Sequence, residues 1–169
     1  MGEMMWAVVV EDDAPLKLAQ VEKPSCGPSD VIVKVMTAGL NRADLVQRMG
    51  LYPPPPGASE IMGLECSGEI VEVGSDVSGW AVGDRVCGLM AGGGYAEFAA
   101  VDQGSLFKTP DGMSYEEAGA LPEVMMTVWA NILIAANLKP GKACSFMAEP
   151  AGLAQWPSKW PKWLALQRS

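Results

Sequence analysis

Residues 66–101 read CSGEIVEVGSDVSGWAVGDRVCGLMAGGGYAEFAAV, and this stretch decides the fold. Apolar and β-branched residues fill 66–73 and 95–101, and glycine-rich segments separate these runs, which predicts successive β-strands. The tetrapeptide GDRV at 83–86 predicts a turn that leads into a further strand. Gly68 lies inside the first strand, so we expect a bulge or a close backbone approach there.

The flanking sequence continues this pattern of short strands and adds a few helices. Strands are predicted at 6–10, 16–21 and 31–36, and helices at 41–49, after Ser114 and at 127–136. Gly50 ends the first helix, Ser114 and Glu117 predict a capping box, and Asn137 ends the last helix. Many short strands with Gly and Pro turns predict a mainly β fold, a partly open β-barrel with a few helices.

Composition excludes several classes of function. The chain has 169 residues, 12 basic and 20 acidic side chains, a net charge of −8 and no histidine. An acidic chain argues against binding nucleic acid or an anionic membrane, and the longest apolar run, 128–136, is too short to span a bilayer. The missing histidine removes the commonest general base and metal ligand. The scattered cysteines (Cys26, Cys66, Cys87 and Cys144) favour neither a zinc site nor a disulfide framework, and predict a reducing, cytoplasmic setting.

Six spaced motifs occur in one order along residues 4–143. They are GLNRAD (39–44), GLYPPPPG (50–57), GLECSG (63–68), GDRV (83–86), GGGYAE (92–97) and LPEVMMT (121–127). In this order they resemble the N-terminal part of the zinc-free, NADPH-dependent quinone oxidoreductases of the medium-chain dehydrogenase/reductase superfamily. The resemblance implies a chaperonin-10 (GroES)-like domain, followed in the family by a Rossmann domain that binds NADPH.

The resemblance also implies three site residues. Asn41 would reach the cofactor or the substrate near the nicotinamide, Tyr52 would line the quinone site, and Thr127 would hydrogen-bond the nicotinamide carboxamide. Each residue has a structural alternative: Asn is a common helix cap, Tyr52 could pack on the proline loop, and the Thr127 hydroxyl could be satisfied within its helix. The family match favours the functional roles.

Other polar residues near these motifs are expected to be structural. We expect Glu65 to be a buried, paired carboxylate, and Arg42 and Asp44 to form a local ion pair. The prolines at 53–56 could bind an SH3 domain, although their place in the family favours the rim of a substrate loop. The glycines at 92–94 lack the spacing of a phosphate-binding turn.

The resemblance predicts a site without metal. Zinc-dependent relatives place a cysteine and a histidine where this chain has Leu40 or Asn41 and, further on, Leu64. Neither leucine nor asparagine replaces a thiolate or an imidazole as a zinc ligand. Hydride transfer from NADPH to a quinone can proceed without zinc or histidine, because the cofactor supplies the chemistry.

The C-terminal stretch departs from the family pattern. After Lys142 the first Rossmann strand and a glycine-rich turn should follow, but residues 145–169 carry Trp-Pro pairs, one acid and three basic residues. A shifted reading frame, in which each new codon takes the last base of one codon and the first two bases of the next, gives a different translation. With permitted codon choices, that translation has the pattern of a strand, the turn ASGVG and an amphipathic helix. This translation resembles the missing NADPH-binding unit, so we expect a truncated product with an out-of-frame end.

These expectations fix the predicted organisation. Residues 1–124 form the GroES-like domain, 125–143 a linker helix and the start of the cofactor domain, and 144–169 an aberrant, disordered tail. Without the glycine turn, this chain is expected to bind NADPH poorly and to have little quinone reductase activity. The alternatives are a fragment that binds the full-length enzyme and interferes with it, and a chain that does not fold stably.

Overall fold

The computed structural model describes residues 2–10 and 15–139. Its chain divides into two compact units, Met1–Glu123 and Val124–Ser169, and each unit is described by itself. The predicted out-of-frame tail, 144–169, lies outside the described residues, as does Cys144.

Seven strands form two antiparallel sheets in the described residues of the first unit. They are β1 (Met4–Val9), β2 (Lys17–Glu22), β3 (Asp30–Ala38), β4 (Glu65–Val73), β5 (Arg85–Leu89), β6 (Phe98–Asp102) and β7 (Leu106–Lys108). β1 and β2 pair with each other, and the larger sheet has the order β6-β3-β4-β5-β7. Because β6 and β7 end this order without pairing to each other, the larger sheet is open in the part of the chain that is described. The predicted mainly β, partly open fold is confirmed.

The helices are short, and one of them differs from its prediction. They are α1 (Arg42–Arg48), α2 (Tyr115–Gly119), α3 (Pro122–Val128) and a π-helix (Trp129–Ala135), with a 3-10 turn at Gln103–Ser105. The helix predicted over 127–136 begins earlier, at Pro122, because proline suits a first helical position, where no backbone N–H is needed. Asn137, at φ 47°, ends it as predicted. The capping box of Ser114 and Glu117 is confirmed at the start of α2.

The core of the first unit lies on one face of the larger sheet. Its buried side chains come from all five strands: Val31, Val33, Cys66, Ile70, Val86, Ala99, Val101 and Leu106. β3 is also buried on its other face, since Ile32 is as inaccessible as its neighbours. This explains why β3 carries three β-branched residues in a row instead of an alternating pattern. Among the helices within residues 2–10 and 15–139, none has the length and apolar character needed to cross a bilayer.

Gly68 allows β3 and β4 to approach each other closely. It pairs with Val35 of β3 and Val86 of β5, and the β3–β4 register shifts between Val35 and Thr37. A Cβ atom at this position would overlap the carbonyl oxygen of Lys34. The expected bulge and close backbone approach are therefore both present.

We expect Gly68→Ala to destabilise the chain. The added methyl group would meet rigid backbone in the middle of the sheet, and overpacking of this kind costs about 1–3 kcal/mol. Urea denaturation followed by circular dichroism measures the free energy of unfolding. The control is Glu69→Ala, whose exposed side chain belongs to the next residue of the same strand and should change stability by less than about 0.5 kcal/mol. Equal stabilities of the two variants would contradict the packing argument.

Candidate functional site

The register of β3 and β4 brings two of the motif segments, 39–44 and 63–68, side by side. Ala38 pairs with Cys66, so Gly39 leaves β3 beside Glu65, the first residue of β4. The backbone N–H of Gly39 donates to the Glu65 carbonyl at 3.2 Å. A Cβ atom on Gly39 would overlap the carboxyl group of Glu65. Glycine at 39 thus makes room for a carboxylate between the end of β3 and the start of β4.

Asn41 follows at the N-cap of α1, with extended dihedral angles of φ −122° and ψ 154°. Its backbone N–H donates to Oδ2 of Asp44 at 2.6 Å. Its side-chain Nδ2 donates to Oε1 of Glu65 at 2.8 Å. The structure therefore places Asn41 at a helix cap and also joins its amide to a buried acid. Whether the amide meets a cofactor stays a prediction.

Glu65 is the buried, paired carboxylate that the sequence predicts. Its side chain is 2% exposed, and its second oxygen, Oε2, accepts from the backbone N–H of Glu123 at 2.9 Å. Burial raises the pKa of Glu65, the hydrogen bonds from Glu123 and Asn41 lower it, and the charges of Glu123 and Asp44 raise it further. The net shift is upward, because desolvation is the largest of these effects.

The predicted ion pair between Arg42 and Asp44 is wrong. Asp44 is 4% exposed, and its Oδ2 atom accepts from the hydroxyl of Tyr95 at 2.7 Å as well as from Asn41. Arg42 is exposed. Residues two apart in a helix do not face each other, so the guanidinium and the carboxylate point to different sides.

One hydrogen-bonded network joins Asn41, Asp44, Glu65 and Tyr95. Tyr95 is the member of this network that the sequence analysis did not single out. Besides Asp44, its hydroxyl lies 3.2 Å from the carbonyl oxygen of Gly39. Burial raises the pKa of Tyr95, and the hydrogen bond to Asp44 raises it further. The sequence signal for Tyr95 is its place after three glycines. Gly63, at φ 100°, lies so close to the Tyr95 ring that a Cβ atom there would overlap it.

The structure does not bring Tyr52 or Thr127 into the described network. Tyr52 lies on the loop after α1 with 53% of its surface exposed, and no hydrogen bond described in residues 2–10 and 15–139 joins it to Asn41. Thr127 is a residue of α3 in the second unit, where its carbonyl oxygen accepts from Nδ2 of Asn131 at 2.8 Å. Their roles toward a quinone and a nicotinamide stay predictions.

The resemblance relates the zinc-ligand positions of zinc-dependent relatives to Leu40 or Asn41 and to Leu64. Leu40 is 86% exposed and Leu64 is buried. Among the described residues, no group of three or more acids, cysteines or histidines is placed to hold a metal ion.

The glycines at 92–94 serve packing. A Cβ atom on Gly92 would lie 2.5 Å from the carbonyl oxygen of Ser59, and the N–H of Gly93 donates to the carbonyl of Ile61 at 2.6 Å. This glycine run therefore accommodates the loop around residues 59–61, in keeping with its lack of a phosphate-binding spacing.

A cavity of 630 Å³ lies apart from the Asn41–Glu65 network. It is bordered by β6, by the loop at 57–61 and by the residues that follow β5, and neither Asn41 nor Glu65 lines it. No buried, hydrogen-bonded acid is described in its lining, whereas such acids lie at the start of α1. We assign the candidate site to the start of α1, because buried titratable groups and the partly buried Asn41 amide meet there.

We expect Tyr95→Phe to destabilise the network. Asp44 would lose one of its two donors while remaining buried, and a hydrogen bond to a charged group contributes about 1.5–3 kcal/mol. The control is Tyr115→Phe, since the Tyr115 ring packs under Arg85 and its hydroxyl makes no described hydrogen bond. Thermal and urea unfolding should separate the two variants. An unchanged stability of Tyr95→Phe would show that the bond to Asp44 contributes nothing.

Known proteins resemble this chain over most of its length. It is 38% identical over 153 residues to quinone oxidoreductase-like protein 2 homolog of Nematostella vectensis, covering 90% of this chain and 40% of that protein. It is 39% identical over 121 residues to synaptic vesicle membrane protein VAT-1 homolog of Danio rerio, covering 72% of this chain and 25% of that protein. The chain thus spans two fifths or less of these relatives.

Solved structures show the same fold. The human synaptic vesicle membrane protein VAT-1 homolog-like protein superposes with a TM-score of 0.74 and 32% identity, over 82% of this chain and 46% of that one. The quinone oxidoreductase from Coxiella burnetii superposes with a TM-score of 0.69 and 27% identity, over 82% of this chain and 47% of that one.

The family model of the alcohol dehydrogenase GroES-like domain matches residues 27–111, half of the chain. This range contains all five strands of the larger sheet, α1 and the Asn41–Glu65 network. The chain therefore belongs to the alcohol dehydrogenase GroES-like domain family of the medium-chain dehydrogenase/reductase superfamily.

Proposed function

We propose that the chain is the N-terminal, catalytic-domain portion of a zinc-free, cytoplasmic NADPH:quinone oxidoreductase. The observation that supports the proposal is the partly buried Asn41 amide, which donates to the buried Glu65 carboxylate at 2.8 Å; the family resemblance implies a ligand contact for this residue. Similarity to quinone oxidoreductase-like proteins supports the same reading. Within this class, the six motifs resemble those of the tumour-suppressor-inducible quinone oxidoreductase.

The described residues suit one end of the cofactor. In this proposal Asn41 of the first unit meets the nicotinamide end, and the family resemblance separately implies that Thr127 hydrogen-bonds the carboxamide. No phosphate-binding glycine turn occurs in residues 2–10 and 15–139. When bound, NADPH supplies the hydride. Asn41 would orient the reacting groups, and the half-exposed Tyr52 hydroxyl would donate to a quinone oxygen.

For the 169-residue chain itself we propose little or no turnover. Because no glycine turn at a helix N-terminus occurs in residues 2–10 and 15–139, that part of the chain offers the pyrophosphate no strong binding site. Purified protein, mixed with NADPH and 1,4-benzoquinone and followed by NADPH absorbance, should oxidise NADPH no faster than a protein-free control. Rates typical of full-length quinone oxidoreductases would overturn this part of the proposal.

A chimaera tests the catalytic role separately. In it, residues 1–139 replace the matching segment of the Coxiella burnetii quinone oxidoreductase, so that a complete cofactor domain is present. We expect quinone-dependent NADPH oxidation, and Asn41→Ala should lower kcat/KM by about tenfold or more, which is about 1.4 kcal/mol of transition-state stabilisation. Arg42→Ala, next in sequence and exposed, is the control. A folded but inactive chimaera would contradict the proposed reaction.

The alternative is a non-enzymatic fragment that pairs with the full-length enzyme. A group of exposed apolar side chains favours this alternative. One groove of the first unit is lined by Trp6, Leu18 and Met36, whose exposed fractions are 49%, 68% and 53%. Apolar side chains grouped on a surface often mark an interaction site.

Co-purification tests this alternative. Tagged 169-residue chain, co-expressed with full-length enzyme, should retain it on an affinity column, and Leu18→Lys should weaken retention by placing a charge in the groove. Leu51→Lys is the control, because Leu51 is 75% exposed and does not line the groove. Equal retention by both variants would exclude the groove as the contact.

A further inference from the structure

The Glu65 carboxylate joins three elements. It begins β4, accepts from the Asn41 amide at the start of α1, and accepts from the Glu123 N–H in the first turn of α3. Pro122 precedes Glu123 and has no N–H, so Glu65 receives the first available backbone donor of α3. One side chain therefore ties the cap of α1 to the start of α3.

Two hydrogen-bond donors explain why residue 65 is a carboxylate, despite the cost of burying it. At 2% exposure the charged form is costly to bury, and no described ion pair involves Glu65. Asp44 and Glu123 add repulsion. A glutamine would avoid the buried charge, but it has one acceptor oxygen, whereas Glu65 meets a donor at each of its two oxygens.

Two donors at one carboxylate also fix the neighbour's amide. In its ionised form Glu65 can only accept, so the nitrogen end of the Asn41 amide faces it, and the Oδ1 end is not used by Glu65. A glutamine at 65 could pair with Asn41 in either orientation. Gly39 adds to the constraint, because its missing side chain is what leaves room for the carboxyl group.

We propose that Glu65 is the positioning residue of this site: it sets the orientation of the Asn41 amide toward the ligand without touching the ligand. The inference rests on the proposed function, in which Asn41 meets the nicotinamide end of the cofactor. The affinity of the site for its ligand then depends on Glu65, although the Glu65 carboxyl group is almost inaccessible to solvent.

The test uses the full 169-residue chain, labelled with ¹⁵N, and its Glu65→Gln, Glu69→Gln and Asn41→Ala variants. The first measurement is the pair of Asn41 side-chain amide resonances. We expect Glu65→Gln to shift them and to speed their hydrogen exchange, whereas Glu69→Gln, on the exposed side of the same strand, leaves them in place. Unmoved Asn41 resonances in folded Glu65→Gln would overturn the proposal.

The second measurement is binding of reduced nicotinamide mononucleotide, which carries the reacting ring without the adenosine half. Asn41→Ala and Glu65→Gln should each weaken binding about tenfold, and Glu69→Gln should not. If Asn41→Ala weakens binding and folded Glu65→Gln does not, the positioning role is wrong. If Asn41→Ala leaves binding unchanged, the proposed contact between Asn41 and the nicotinamide end is wrong. The Asn41 resonances of the Glu65→Gln variant then still decide whether Glu65 orients the amide.

If Glu65→Gln does not fold, a variant with a shorter acidic side chain, Glu65→Asp, tests the proposal instead. Glu65→Asp keeps both acceptor oxygens but is one methylene shorter, so it cannot reach both Asn41 and Glu123. We expect shifted Asn41 resonances and weaker mononucleotide binding in the folded Asp variant. Wild-type resonances and wild-type affinity in that variant would overturn the proposal.

Discussion

The close pairing of β3 with β4 is the constraint on which the rest of the first unit depends. Gly68 permits it, because any side chain there would overlap the Lys34 carbonyl. The resulting register sets Ala38 opposite Cys66. That pairing delivers Gly39 and Asn41 to the side of Glu65, so the polar network at the start of α1 follows from a backbone contact in the middle of the sheet.

Opposing contributions to the free energy meet in the network of Asn41, Asp44, Glu65 and Tyr95. Asp44 and Glu65 are both buried, and no described ion pair neutralises either of them. Hydrogen bonds from Asn41, Tyr95 and the Glu123 backbone stabilise the two carboxyl groups, while desolvation and mutual repulsion oppose them. Burying two such carboxyl groups without an ion pair costs stability, and this cost is the reason to look for function at α1 and not in the cavity beside β6.

Sequence reasoning was most successful where the signal was local. The capping box at Ser114, the helix stop at Asn137 and the special role of Gly68 each depend on a few neighbouring residues, and each is confirmed. It failed where partners come from elsewhere in the chain. Asp44 bonds to Tyr95, 51 residues away, so the expected pair with Arg42 could not reveal it. The three-residue strand β7 has too few residues to give a period.

By itself, the sequence determined the mainly β fold, the family motifs and their order, and the burial of Glu65, because turn residues, strand periods and motif spacing are properties of neighbouring residues. Only the tertiary structure decided which donors meet Glu65, that Tyr95 completes the network, and that Tyr52 stays outside it. Those facts depend on strand register and side-chain direction. Both are set by packing between segments far apart in sequence, and spacing along the chain does not encode them.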